Sequence, residues 1–298
     1  MNVQVGAAFN RFYELITPSR QHVEQALARA RILSANMRDA AREVAPCSFM
    51  EHRLMGSYTR GTAIREFSDV DVMFEFQCAM GSGLAVSRPL LAGIRNFLKQ
   101  TVDASVRVSE MQEVVRIEYP DGICLDILPS LRGDPQGYFI PDGVNGWKAT
   151  DPDVQERYFK RQDAASKIRL SKFTRGLKYW NATHGNLVRS YHLESLVAQL
   201  APQLDGDYAI ATREVFEELS NTISILDPSG HQGDLSAYLS ASQRDMIASL
   251  CRASGEGAMA ALDAQAKGKC GQALKAWAAV YGPLFPSDGP SLRGWKID

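Results

Sequence analysis

Two aspartates, Asp69 and Asp71, flank a single valine in the stretch GSYTRGTAIREFSDVDVMFEF, residues 56–76. In an extended strand, residues i and i+2 project to the same side. The two carboxylates therefore lie side by side at the start of a strand whose other face, Val70, Val72, Phe74 and Phe76, is apolar. Carboxylates so close repel each other unless positive charge sits between them. Mg²⁺ meets that need: it takes oxygen ligands, usually one or two protein carboxylates, with water and substrate phosphates completing the shell. A third carboxylate, Asp126, interrupts the apolar strand ICLDILP (123–129), opposite the face of Ile123, Leu125 and Ile127. An apolar strand seldom carries an aspartate without a partner. If this strand lies beside residues 70–76, Asp126 completes a three-carboxylate cluster able to hold two metal ions, Mg²⁺ or Mn²⁺, for in-line phosphoryl transfer.

The turn about a dozen residues earlier fits the same chemistry. Gly56 lets backbone N–H groups come close to a ligand, and Ser57 adds a hydroxyl. If GTAIRE (61–66) starts a short helix, its first N–H groups favour phosphate. Each part also has a plain structural reading. A Gly-Ser pair is a turn, D-x-D is common at strand ends, and Asp126 could pair with an arginine. Their order and strand context argue for the cluster.

Elements must hold these residues in place. TPSRQHVEQALARARILSANMRDAAREV (17–44) reads as one long helix with Thr17 as cap, Pro18 at the first helical position and Pro46 beyond its end. Its apolar residues Val23, Leu27, Ala30, Leu33, Met37, Ala40 and Val44 recur at steps of three and four. Strands are expected at 48–55, 70–76, 104–110, 113–119 and 123–129, with a short helix at 87–100 and a tight turn at Pro120-Asp121-Gly122. Residues 132–153, rich in Gly, Pro, Asp and Asn, read as a connecting loop. Beyond them the periodicity is helical. Leu170, Phe173, Leu177 and Trp180 form one stripe, 190–201 and 208–226 continue the pattern, and Gln243 to Tyr281 is helical apart from glycines near 255–257 and 268–271. The fold class is α+β: a mixed-sheet lobe over 1–155 and a helical lobe over 156–298, with the first long helix bracing both.

The order G-S, eleven residues, D-V-D-V, then a later strand carrying an isolated Asp before Pro resembles the polymerase-β-like nucleotidyltransferase superfamily. WKATDPDVQERYF (147–159), KIRLSKFTRGLKYWNATHGNLVRSYHLESLVAQL (167–200) and LDPSG (226–230) narrow the resemblance to the bacterial cGAS/DncV-like nucleotidyltransferases. The resemblance implies an active site in the cleft between a catalytic lobe and a helical lobe. It implies that Asp69 and Asp71 bind two Mg²⁺ on an NTP, ATP among the substrates, and that Asp126 binds metal and activates an acceptor ribose hydroxyl, with pyrophosphate released. Gly56 and Ser57 would hold the β- and γ-phosphates, Lys178 would reach the triphosphate, and Ser190 and Tyr191 would contact phosphate and stack on a base. The resemblance further implies that the products are cyclic di- or trinucleotides that signal phage infection to an effector, which would bind the product and not the enzyme. Lys178 also reads as a solvated lysine, Tyr191 as a core aromatic, and His192 as a satisfied interior histidine. Asp227-Pro228 reads as a turn or cap, and Trp147, Trp277 and Trp295 as packing anchors.

The chain of 298 residues is 45% apolar, with a formal charge of -1 and a pI near 6.5. That balance argues against a long duplex nucleic-acid partner. The N-terminal residues MNVQVGAAFNRFYELI do not read as a signal peptide, and no run of 18 apolar residues implies a membrane span. The five scattered cysteines, Cys47, Cys78, Cys124, Cys251 and Cys270, read as thiols of a reducing cytoplasm. No Cys/His cluster corresponds to the zinc insertion of the animal DNA sensor, so activation by a partner protein, or constitutive activity, fits better than activation by DNA. The rival enzymatic readings are transfer of one NMP, or linear synthesis, on a small-molecule, protein or RNA acceptor. The rival outside catalysis is a nucleotide-binding regulator.

Overall fold

The computed structural model describes residues 3–44, 47–65, 69–78, 86–133 and 137–288, without the side chains of 39–44 and 78. Trp295 lies outside the described residues. Pro18–Glu156 with Ser229–Gln232 form one compact unit, and the remaining described residues form another.

The first unit is built on a seven-stranded sheet ordered β1-β2-β5-β4-β3, with β6 paired to β5 and β7 to β6. The strands are β1 Cys47–Leu54, β2 Val70–Cys78, β3 Arg107–Glu110, β4 Val115–Glu118, β5 Cys124–Arg132, β6 Tyr138–Pro141 and β7 Trp147–Thr150. Only β2 and β5 run parallel among the described pairs; the others are antiparallel. Val70, Val72, Phe74 and Phe76 of β2 form a core with Leu125 and Ile127 of β5, Val115 and Ile117 of β4, and two helices. Those helices are α2 Arg20–Val44, contributing Ala26, Ala30, Leu33 and Met37, and α3 Arg88–Thr101, contributing Leu90, Leu91, Ile94 and Leu98. The strict alternation of β2 thus leaves Asp71, Met73 and Glu75 for the opposite face. There Met73 packs in a smaller cluster with Leu128, Tyr138 and Ile140.

The second unit holds α1 Val3–Ile16, the remainder of α4 Pro152–Ala165, α5 Leu170–Thr183, α6 Ser190–Leu200, α7 Tyr208–Asn221, α8 Ala241–Ala266 and α9 Cys270–Tyr281. Phe9 of α1 meets Trp277 of α9 edge-on at 5.1 Å, and Phe12 lies 4.9 Å from Tyr281. Trp277 is a packing anchor, as expected, and Trp147 packs partly buried against the sheet core.

Several expectations need correction. The long helix expected over 17–44 is present as α2, Arg20–Val44, but Thr17 does not cap it and belongs to the end of a preceding helix, α1. The Thr17 hydroxyl donates back to the Tyr13 carbonyl at 2.6 Å and closes α1, while Ser19 Oγ accepts the His22 amide at 3.2 Å and opens α2. The stretch 132–153 contains the β6–β7 hairpin and is not a plain loop. Helix α7 stops at Asn221, because Thr222 turns extended, and Leu226 then bridges Asp234. Gly255 and Gly257 lie within α8, and the break comes at 267–269. Cys47 is disulfide-bonded, against the reading of five thiols; the β1–β2 register sets it opposite position 78. Cys124, Cys251 and Cys270 are free.

Candidate active site

The parallel pairing of β2 with β5 sets Asp71 directly across from Asp126, with Val70 across from Leu125. Neighbouring strands lie about 4.8 Å apart, so the register alone places the expected third carboxylate beside the D-x-D edge. Asp69 precedes β2 by one residue. Its carboxylate and that of Asp126, with Cys124 Sγ, lie within 4.8 Å of one another. Asp71 is not part of that cluster. Its carboxylate is turned toward Gly56, where a Cβ would come 2.1 Å from Asp71 Oδ2. Gly56 has φ +70, and the Met55 amide donates to the Asp71 carbonyl at 3.0 Å. The glycine turn and the second aspartate are thus locked together, and only a residue without a side chain fits between them.

The expected helix at GTAIRE is absent over the described residues. Residues 56–61 make a turn, and the amides of Thr62 and Ala63 donate to the Ser57 carbonyl at 2.8 and 3.1 Å. The carbonyl of Ser57 folds that loop back on itself, so these two amides do not serve as a helix N-terminus. Ser57 itself is buried.

A cation already sits among the carboxylates. Arg116 on β4 stands opposite Asp126 in the antiparallel register. Its guanidinium grips that carboxylate with both nitrogens, Nε to Oδ1 at 2.9 Å and Nη2 to Oδ2 at 2.7 Å, and also binds Asp69 Oδ2. The structural alternative for Asp126, pairing with an arginine, is therefore realised, and the partner joins Asp126 to Asp69. Burial, then the negative charge of Asp126, pushes the Asp69 carboxyl above its usual range, against the pull of Arg116. Burial and then Asp69 raise the Cys124 thiol, so it stays protonated at neutral pH. Burial and the charges of Asp69 and Asp71 push the Tyr58 phenol up to about 12. The clustered donors are the carboxylates of Asp69 and Asp126, with Asp71 next to them on β2, and carboxylate oxygens suit a hard divalent ion.

Sequence reasoning missed Arg116 and Cys124. Both were legible in outline. Cys124 is two residues before Asp126 on its strand and so shares its face, and in EVVRIEY the buried Val115 and Ile117 force Arg116 to the opposite side. What was hidden was the register that sets Arg116 against Asp126.

Lys178, Ser190 and Tyr191 belong to the helical unit. Lys178 is buried, not solvated, and its ammonium binds Glu194 Oε1 at 2.8 Å, tying α5 to α6. Ser190 is exposed at the first residue of α6. Tyr191 is half-buried and donates its hydroxyl to Asp227 at 2.7 Å. His192 is an interior histidine, as expected, with Nε2 2.7 Å from the Ile223 carbonyl.

Residues 1–162 match the model of a second messenger oligonucleotide or dinucleotide synthetase domain. A probable cyclic nucleotide synthase of Bacillus cereus (strain VD146) is 26% identical over 273 residues, covering 78% of this chain and 81% of that protein. Among solved structures, CdnC of E. coli MS115-1 with ATP superposes with a TM-score of 0.76 at 18% identity, over 94% of this chain and 98% of that one. CdnC is also known in complex with HORMA-deltaN. DncV of Vibrio cholerae, a cyclic AMP-GMP synthase, superposes with a TM-score of 0.75 at 15% identity, over 93% and 97% of the two chains.

Proposed function

The chain belongs to the second messenger oligonucleotide or dinucleotide synthetase family, is a nucleotidyltransferase that makes a cyclic oligonucleotide messenger, and on that premise we propose how its residues divide the work. The observation that carries the proposal is the register pairing Asp71 with Asp126 across β2 and β5, with Asp69 beside them. We assign Asp69, Asp71 and Asp126 as the ligands of the divalent metal that the family uses, and Mg²⁺ as the ion, in two positions that Mn²⁺ can also fill. When bound, the metal supplies charge neutralisation for the triphosphate and the developing oxyanions.

The residues of the chain do the rest. Gly56 keeps the turn flush against Asp71, so a triphosphate can approach the edge without meeting a side chain. Ser57 follows in the same turn and contacts the phosphates. Asp126 orients the acceptor ribose hydroxyl and accepts its proton as the oxygen attacks the α-phosphorus. The bond to the β-phosphate bridging oxygen breaks, and pyrophosphate leaves. Repeating the step on the growing chain's own 5′ triphosphate closes the ring. In the helical unit we assign Ser190 and Tyr191, in the first turn of α6, to the nucleotide. Lys178 already neutralises Glu194, so a phosphate would have to share its charge.

ATP in CdnC and the AMP and GMP units named for the DncV product support purine NTPs as substrates, ATP among them. The HORMA complex of CdnC supports a regulatory protein partner. We place the activity in the cytoplasm, where NTPs are, and in anti-phage signalling; no described helix is long and apolar enough to cross a membrane. The test is incubation of the enzyme with the four NTPs and Mg²⁺, followed by phosphatase. A phosphatase-resistant oligonucleotide that disappears in the Asp69→Asn/Asp71→Asn double variant is expected. A folded enzyme that leaves the NTPs unjoined would overturn the assignment.

A further inference from the structure

Arg116 is the residue that the reaction, as described, does not use. It lies on the same sheet face as the carboxylates and makes two hydrogen bonds to Asp126 and one to Asp69. Its side chain is 30% exposed, and that of Asp126 is 11% exposed. The two carboxylates it bridges are the ones whose ligand atoms cluster, together with Cys124 Sγ. The position between Asp69 and Asp126, which a metal would take, is therefore held by a guanidinium with matching fork geometry.

We propose that Arg116 is an internal counter-cation that competes with the divalent metal for Asp69 and Asp126, so that metal binds well only when a nucleotide is present to take over the guanidinium. This rests on the reading of Asp69 and Asp126 as metal ligands. Two cations cannot share the same carboxylate oxygens at close range without repelling each other. A metal entering alone must strip Arg116 of its acceptors and leave a half-buried guanidinium without a partner, which is unfavourable. A metal arriving with a triphosphate brings phosphate oxygens that accept from the same fork. Arg116 is thus a positioning residue. It keeps Asp69 and Asp126 together before substrate arrives and makes loading by free metal weak.

A residue acting only as a strut for the carboxylates predicts the opposite sign, and this makes the proposal testable without turnover. The experiment is a titration with Mn²⁺ alone, the free ion counted by its paramagnetic resonance, on the full chain and on Arg116→Gln and Arg116→Lys. Competition predicts that Arg116→Gln binds Mn²⁺ at least about tenfold more tightly than the native chain, roughly the worth of one charge-assisted hydrogen bond that the metal no longer displaces. Arg116→Lys, which keeps the charge but cannot fork across two carboxylates, falls between them. It carries the comparison by itself if the glutamine variant does not fold. The gap narrows when a non-hydrolysable ATP analogue is added, and a gap unchanged by the analogue overturns the role given to nucleotide. Equal or weaker Mn²⁺ binding in the variants, with saturable binding in the native chain, overturns the competition and makes Arg116 a strut. Absence of saturable binding in every chain without nucleotide overturns the competition, and absence with the ATP analogue as well overturns the metal reading with it.

Discussion

Replacing Gly56 by alanine separates two effects that the structure lets us size independently. The residue has φ +70, where a side chain costs about 1–2 kcal/mol. Its added Cβ would lie 2.1 Å from Asp71 Oδ2, more than an ångström short of ordinary contact, and 3.0 Å from Asp71 Cγ. The Asp71 carboxylate must swing away. A displacement near 1 Å of a group that positions the reacting atoms costs roughly a hundredfold in rate. Gly122, in the β4–β5 turn, is the matched control: its φ is +84, and nothing lies within 4 Å of an added Cβ. Both alanine variants should lose similar thermal stability, about 2–4 °C per kcal/mol of backbone strain. Gly122→Ala should then turn over NTPs like the native enzyme, and Gly56→Ala should be slower by about two orders of magnitude. The assay is initial rate of cyclic product at saturating Mg²⁺ and NTP, beside a melting curve on each preparation. Equal rates in the two variants would refute the claim that the turn and Asp71 are locked into one catalytic edge.

Asp126→Asn should keep measurable Mg-NTP binding and lose nucleotide coupling by roughly a hundredfold or more, read by a binding titration beside a product assay; coupling near the native rate would make Asp126 a structural strand residue. Lys178→Met leaves Glu194 charged and buried, so it should cost about 3–5 kcal/mol in a denaturant melt, with much of the loss recovered in Lys178→Met/Glu194→Leu; native-like stability in the single variant would show that the pair does not hold α5 to α6. Burial lowers the His192 pKa from 6.5, so the unfolded chain binds the proton more readily and stability must fall as pH drops through and below that value. His192→Gln should flatten that part of the melting temperature against pH, and an unaltered slope would rule His192 out as its source.

The carboxylate edge was legible because it rests on period two alone. Val70, Val72, Phe74 and Phe76 fix one face of β2, and a one-residue slip would bury the aspartates. The partner strand was legible as an apolar run with a single charge. Its neighbour β4 was legible as a strand, but not its register, so the meeting of Arg116 with Asp126 was out of reach. The hairpin at Tyr138–Pro141 and Trp147–Thr150 escaped for a different reason. Four-residue strands give too few alternations to outweigh the Gly, Pro and Asp around them, and their pairing is decided by β5. The junction near Thr17 misled because threonine before proline is a good helix opener, yet here its hydroxyl serves the helix before it. Glycines 255 and 257 misled because tertiary packing of α8 overrides a propensity cost of about 1 kcal/mol each.

Counting pyrophosphate against nucleotide in the isolated product tests the central claim most directly. Closing a ring makes one phosphodiester for every nucleotide, so pyrophosphate released equals nucleotide incorporated, and the product mass shows no terminal phosphate. The native enzyme with Mg²⁺ should give that equality, and Asp69→Asn/Asp71→Asn should give neither pyrophosphate nor product. A product that retains a triphosphate end, with one pyrophosphate fewer than its nucleotides, or a single NMP attached to another molecule, would contradict the account.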